Sequence, residues 1–348
     1  MHHSKSASCF HTPALGKEES QSTKVLTLKV MDTRVVIKAT SFIILTIISV
    51  PANLVVCCAF LHSYLIEAKL LTADIILCHL AFANLMVAFT RSIPQTMAAL
   101  GYLNLFDDVG CKVTILCFRA FRGLSISLTC LLCVYQAVAI SPATSLLASL
   151  KMRIPQYLLY IILFLYLLYY FSSITSVLNA VSSLFNNTIP PYTLNLEYCF
   201  VLYKDYSSYI SMGFGIMSRD LVFIVLMTIM SGYILILLYQ HGQKVKNIRS
   251  SDNSQKGGRA ETKASRAVVI LVILYVVFFG IDNIIWLYSL TILRVAPLIS
   301  DIRVFFATLY TSACPIVVIT TNPKVQRKLK LMKMKGEVQP TDSSTSTV

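Results

Sequence analysis

The chain has 348 residues, of which 56% are apolar and 13% charged, and its formal charge is +14. Soluble domains hold roughly 25% charged residues, so this much apolar surface cannot be hidden in water, and an ordinary soluble domain is excluded. A basic excess of this size suits a nucleic-acid binder or a membrane protein, and its placement along the chain decides between them.

In chain order, residues 1–34 read as an extracellular tail. They lack the continuous apolar run of a signal peptide, so the first apolar block must serve as the insertion signal. Met31, just before that block, is an alternative start. Seven apolar blocks follow, at 39–61, 72–97, 113–140, 154–181, 209–238, 267–293 and 304–320. Each approaches or exceeds the ~20 helical residues that cross a ~30 Å hydrocarbon core. The first, fourth and seventh contain no Asp, Glu, Lys or Arg. The others carry isolated charges: Asp74 and Arg91, Arg119 and Arg122, Arg219 and Asp220, and Asp282. Lipid admits only helices or closed barrels, and no short alternating segments suggest a barrel. The expected fold is therefore an all-α membrane protein, with a seven-helix transmembrane bundle over residues 35–320.

Lys and Arg set the orientation, because cytoplasmic loops hold the positive excess. With the N-terminus outside, the inner segments hold sixteen such residues, whereas residues 1–34 and the outer loops together hold nine, with Arg303 counted in an outer loop. This places the charge where a membrane protein needs it and removes the case for nucleic acid.

Of ten cysteines, seven lie within the apolar blocks and act there as small apolar residues. Cys111, at the head of the third helix, and Cys199, in the longest outer loop, share the oxidising side and are expected to pair. Asn186 opens an Asn-Asn-Thr glycosylation acceptor in that same loop. After the seventh block, Asn322 suits a helix cap and Pro323 a first helical position. Val325, Leu329 and Met332 then share one face amid Lys and Arg, so residues 321–335 read as a short amphipathic helix on the inner leaflet, attracted to anionic lipid. Residues 336–348 are polar, Ser/Thr-rich and expected to be disordered.

Arg119 and Arg122 lie eight and eleven residues beyond Cys111, or roughly 12 and 16 Å down a helix rising ~1.5 Å per residue. An arginine at such depth faces a partner or a wet cavity, since exposure to lipid costs at least ~2.5 kcal/mol. Asp220, Asp282 and Glu197 are the acids able to pair with them, and Arg219 adds a third guanidinium. Two arginines are harder to satisfy from so few acids than one. At least one is therefore expected to donate to a ligand oxygen in the outer half of the bundle, and all six residues are ligand-site candidates. No nucleophile-base set, metal-spaced ligand group or glycine-rich phosphate loop is visible, so neither an enzyme nor a cofactor or metal is expected.

Several long strings resemble the vomeronasal type-1 receptor family, the pheromone-class branch of G-protein-coupled receptors. They are residues 79–97 (HLAFANLMVAFTRSIPQTM), 107–112 (DDVGCK), 119–142 (RAFRGLSISLTCLLCVYQAVAISP), Arg219-Asp220 and 231–241 (SGYILILLYQH). The sixth and seventh helices match more loosely, although Pro315 sits where the resemblance implies a mid-helix proline. Against the wider rhodopsin-like class, Asn53 fits the first-helix asparagine, Asn84 replaces the usual aspartate, and Val134-Tyr135-Gln136 stands where that class has Asp-Arg-Tyr. The seventh block has no lysine for a retinal Schiff base. The resemblance implies a plasma-membrane chemosensory receptor for small organic chemosignals, with a Gi/o-type heterotrimeric G protein on its inner face. That face would include Tyr135, Gln136, Lys151, Arg153, Lys244 and Lys246. A bitter-taste-like receptor is the nearest alternative; a transporter or channel lined by the intramembrane charges is a more distant one.

Overall fold

The computed structural model describes residues 15–67, 70–102, 105–184, 190, 192–247, 255–291 and 297–337. Among them, seven helical stretches are long and apolar enough to cross a membrane: Thr33–Ile66, Thr72–Ala99, Asp108–Ile140, Leu150–Thr175, Tyr206–Gln240, Ala264–Ser289 and Asp301–Thr321. The chain is a multi-pass, seven-helix bundle, as its hydropathy demands.

The helix ends differ from the apolar blocks for local reasons. Helix α1 (Leu15–Glu67) starts far ahead of residue 39. No proline falls between Pro13 and Pro51, so nothing stops the helix from running back into Lys- and Glu-bearing sequence. Helix α4 (Asp108–Ile140) begins five residues before its apolar block, because the Asp107 carboxylate caps it by accepting from Gly110 N at 2.8 Å. Helix α5 (Leu150–Val177) stops short, and Ala180–Val181 forms strand β1 instead. The second span is broken into α2 (Thr72–Val87), a π-helical turn (Ala88–Ser92) and α3 (Ile93–Ala99). The remaining spans are α6 (Tyr206–Asn247), α7 (Gln255–Thr291) and α8 (Pro297–Thr321).

Helix α4 runs through the middle of the bundle: 72% of its most apolar window is buried, against 22% for α6. Leu124, Leu128 and Leu132 of α4 meet Ile76 and Leu80 of α2, Leu158 of α5, Met227 of α6 and Tyr275 of α7 in one core cluster. Outward, α5 exposes Leu159, Tyr160, Leu163 and Phe164. Such a surface is a liability in water and the expected one against lipid.

One end of the bundle is closed by a small antiparallel sheet in the order β1-β3-β2, with β2 at Thr193–Asn195 and β3 at Phe200–Leu202. A disulfide joins Cys111 of α4 to Cys199, with the Cα atoms 5.8 Å apart. Cys111, Ile115, Ala180, Leu196, Tyr198, Cys199 and Val201 pack as one apolar cluster beneath the sheet. At the opposite end Asn322 caps helix α9 (Pro323–Glu337), accepting from Lys324 N at 2.9 Å. Val325 is fully buried against α1 and α8 residues, with Leu329 beside it, so the expected apolar face is the one that packs. Lys324 Nζ reaches Asp74 Oδ2 at 2.6 Å, which supplies that buried aspartate with its counter-charge and ties α9 to α2.

Helices α6 and α7 meet closely at Gly213, where an added Cβ would collide with the Trp286 ring. Two residues on, a Cβ at Gly215 would meet nothing within 4 Å. Gly213→Ala should therefore lower the thermal midpoint of the purified protein by the equivalent of about 1–3 kcal/mol of overpacking. Gly215→Ala should be neutral or slightly stabilising, and equal effects from the two changes would contradict the packing described.

Candidate functional site

Beneath the sheet lies a cavity of about 150 Å³ walled by α4, α5, α6, α7 and α8, the π turn and the Leu194–Leu196 segment. Its lining holds five arginines (Arg91, Arg119, Arg122, Arg219 and Arg303) against two aspartates (Asp220 and Asp282), an excess of three positive charges. The aromatic wall is Phe118, Tyr203, Tyr209, Phe279 and Trp286.

The charges are arranged in groups. Asp282 of α7 accepts from Arg122 Nη2 of α4 at 2.6 Å and from Arg303 Nε of α8 at 2.8 Å, so one buried carboxylate holds three helices together. Arg122 also lies over the Phe279 ring, 5.8 Å from its centroid. Arg219 Nε donates to the buried Asp220 at 2.9 Å, its Nη1 donates to Ser172 Oγ at 2.8 Å, and its guanidinium stacks 4.5 Å from the Tyr169 ring. Arg119 Nη2 reaches the Tyr203 hydroxyl at 3.3 Å.

Arg122 and Asp282 also line a second, smaller cavity of about 30 Å³, bounded by Ser125, Tyr275 and Tyr310. The ion pair is thus the floor of the large cavity and the roof of the small one. The lower space suits a water or two, each needing ~10–15 Å³. Beneath it, Asn84 accepts from Ser125 Oγ at 2.7 Å, and Asn53 donates to Ser49 O at 2.8 Å and Thr311 O at 3.0 Å.

Arg91 comes from the π turn. Pro94 has no N–H for the Thr90 carbonyl, its i−4 acceptor, and a proline-induced mismatch of this kind is relieved by widening the helix. The Tyr198 hydroxyl donates to that carbonyl at 3.4 Å and accepts from Arg91 Nη1 at 3.3 Å, both long for hydrogen bonds. The Arg91 guanidinium lies 5.2 Å from the Phe118 centroid and 5.7 Å from that of Tyr198, within cation–π range. Arg91 is only 6% exposed.

Of the candidates taken from the sequence, Arg119, Arg122, Arg219, Asp220 and Asp282 line the same cavity. Glu197 is not among its lining residues. It adopts a left-handed backbone (φ 71°) and pairs with Lys38 of α1 and Gln95 of α3. Lys38 also pairs with Asp301 at 2.8 Å, and Arg34 with Asp301 at 3.1 Å. The cavity also recruits Arg91 and Arg303, which are not among the sequence candidates. Hydropathy puts Arg303 in a loop, whereas α8 starts at Pro297 and carries it into the bundle. At the opposite end Gln136 is buried, Tyr135 half-buried and Arg153 exposed, and Lys151 donates to Ala139 O at 3.0 Å. Lys244 and Lys246 lie on α6, and Asn186 lies outside the described residues.

The fold is similar to that of squid rhodopsin, with a TM-score of 0.67, 18% identity and 89% of each chain covered. The "Olfactory receptor class A-like protein 1" of Danio rerio is 41% identical over 91% of this chain and 99% of its own length. "Vomeronasal type-1 receptor 1" of Gorilla gorilla gorilla is 29% identical over 82% of this chain and 80% of its own. The profile of the vomeronasal organ pheromone receptor family matches residues 36–331, nearly the whole helical bundle and α9, and this chain belongs to that family.

Proposed function

We propose that the protein is a plasma-membrane chemosensory receptor that binds small organic ligands in the arginine-lined cavity and signals through a Gi/o-type heterotrimeric G protein. The observation that carries this reading is the cavity itself: a space of about 150 Å³ lined from six of the seven spans, and hence able to sense their relative positions. A ligand that favours one arrangement of these helices shifts the population toward it. The positive-inside count puts the disulfide-bonded end outside the cell, together with the Asn186 acceptor, and α9 on the inner leaflet. Residues 141–153 and 239–266, with Tyr135, Gln136, Lys151, Arg153, Lys244 and Lys246, then face the G protein.

The test is a screen of candidate chemosignals in cells that co-express a Gα subunit and a calcium reporter, followed by an exchange within the third inner loop. Replacing residues 248–263 with a neutral linker should leave ligand binding intact and abolish the calcium response. A response that survives the exchange removes this loop from the coupling face. A ligand-evoked current that needs no G protein supports a channel instead.

A further inference from the structure

We propose that Arg91 is the anchor for an acidic group, so that the cavity selects small organic anions and orients them with the acid toward α4 and the π turn. This rests on the cavity being the ligand site. It goes further by naming the ligand charge, the residue that reads it and the direction the ligand faces.

The argument is one of unequal neutralisation. Arg122 and Arg303 share Asp282, and Arg219 has Asp220. Arg119 lies at the Tyr203 hydroxyl. Arg91 meets a phenol and two aromatic faces, and among the described residues no carboxylate pairs with it. Its guanidinium is nevertheless almost wholly buried at membrane depth, where a charge is costly unless compensated. The Tyr198 contact uses one of five N–H donors, and the planar fork left over fits a carboxylate, sulfonate or sulfate. Phe118 and Tyr198 add quadrupole attraction but supply no net charge. An anion entering the cavity supplies it.

The arrangement is also prebuilt. Pro94 widens the helix, Tyr198 bridges the Thr90 carbonyl and the guanidinium, and the neighbouring disulfide holds Tyr198 in place. A side chain fixed in this way loses little freedom when the ligand arrives, so more of the interaction appears as affinity.

Trp286 is the single tryptophan of the chain and lines the cavity, so its fluorescence reports on occupancy. The experiment titrates the purified full-length receptor in lipid nanodiscs with benzenesulfonate and, at equal ionic strength, with the uncharged benzenesulfonamide. The sulfonate should bind about tenfold tighter, the scale of one charge-assisted hydrogen-bonded contact. Arg91→Gln should erase that preference. Arg91→Lys, which keeps the charge but loses the fork, should retain part of it. Should Arg91→Gln not yield folded protein, Arg91→Lys and Tyr198→Phe carry the test, and each must reduce the preference. Equal binding of the two probes by the unaltered receptor overturns the proposal. So does an undiminished preference in Arg91→Gln, which would leave Arg91 a structural cation held by its aromatic neighbours. Because no G protein is present, a receptor that prefers the sulfonate yet evokes no cellular response refutes the signalling reading and spares Arg91, and the converse result does the opposite.

Discussion

Asp282→Ala should destabilise the receptor more than removal of either arginine bound to it. The carboxylate is buried, with its side chain 5% exposed, and its two oxygens hold Arg122 of α4 and Arg303 of α8. Taking it away strands two guanidiniums, and breaking a buried pair by deleting one partner typically costs about 3–5 kcal/mol. Arg122→Ala leaves Asp282 with Arg303, and Arg303→Ala leaves it with Arg122, so each of these losses should be smaller. Thermal unfolding of the purified protein measures all three. The double change Asp282→Ala with Arg122→Ala should cost clearly less than the sum of the singles, as expected for residues in one network. Strict additivity, or an Asp282→Ala midpoint equal to that of the unaltered protein, would mean that the three helices are not held through this carboxylate.

Cys111→Ser and Cys199→Ser should impair surface delivery to the same extent, and the double change should be no worse than either. Both singles break the same bond, and that bond spans a sequence separation of 88 residues. Crosslinks over loops of this length stabilise by roughly 2–5 kcal/mol, largely by restricting the unfolded chain. The disulfide also seats the small sheet over the cavity and fixes Tyr198, one residue away, so the loss reaches the site as well. Flow cytometry of an epitope-tagged receptor reads the effect directly. A double variant delivered markedly less than either single would show that the two thiols act separately.

The parts of this structure that are legible in the sequence are those dictated by lipid. Seven blocks of membrane length must be helices, and the seven spanning helices lie close to them. Asn322, Pro323 and the Val325/Leu329 face announce α9 through ordinary cap chemistry and periodicity. Cys111 and Cys199 are readable because the compartment and the topology leave them few alternatives. Hydropathy is blind to what happens at block edges. Arg303 lies one residue outside an apolar run and so reads as a loop residue, although α8 carries its guanidinium to Asp282. Burial of Arg91 is equally hidden, because its environment depends on a π turn, a proline three residues later and a tyrosine more than a hundred residues away. Depth arguments place Arg119 and Arg122 well down the third helix, and both side chains line the cavity. Only the packed bundle reveals that Arg122 closes on Asp282 while Arg119 meets Tyr203, and that Glu197 is drawn aside by Lys38 and Gln95.

Tyr198 donates to a carbonyl that Pro94 cannot serve, which makes the two positions interdependent in a way that sequence distance conceals. Alanine at 94 would restore the amide proton and leave the phenol without that task, while phenylalanine at 198 would remove the hydroxyl that donates to the Thr90 carbonyl. Substitution at one site changes what is tolerated at the other. Among receptors of this lineage, positions 94 and 198 are thus expected to covary, trading proline with tyrosine against a regular helix with an unconstrained neighbour, and where the pair is lost Arg91 has no preset orientation to inherit.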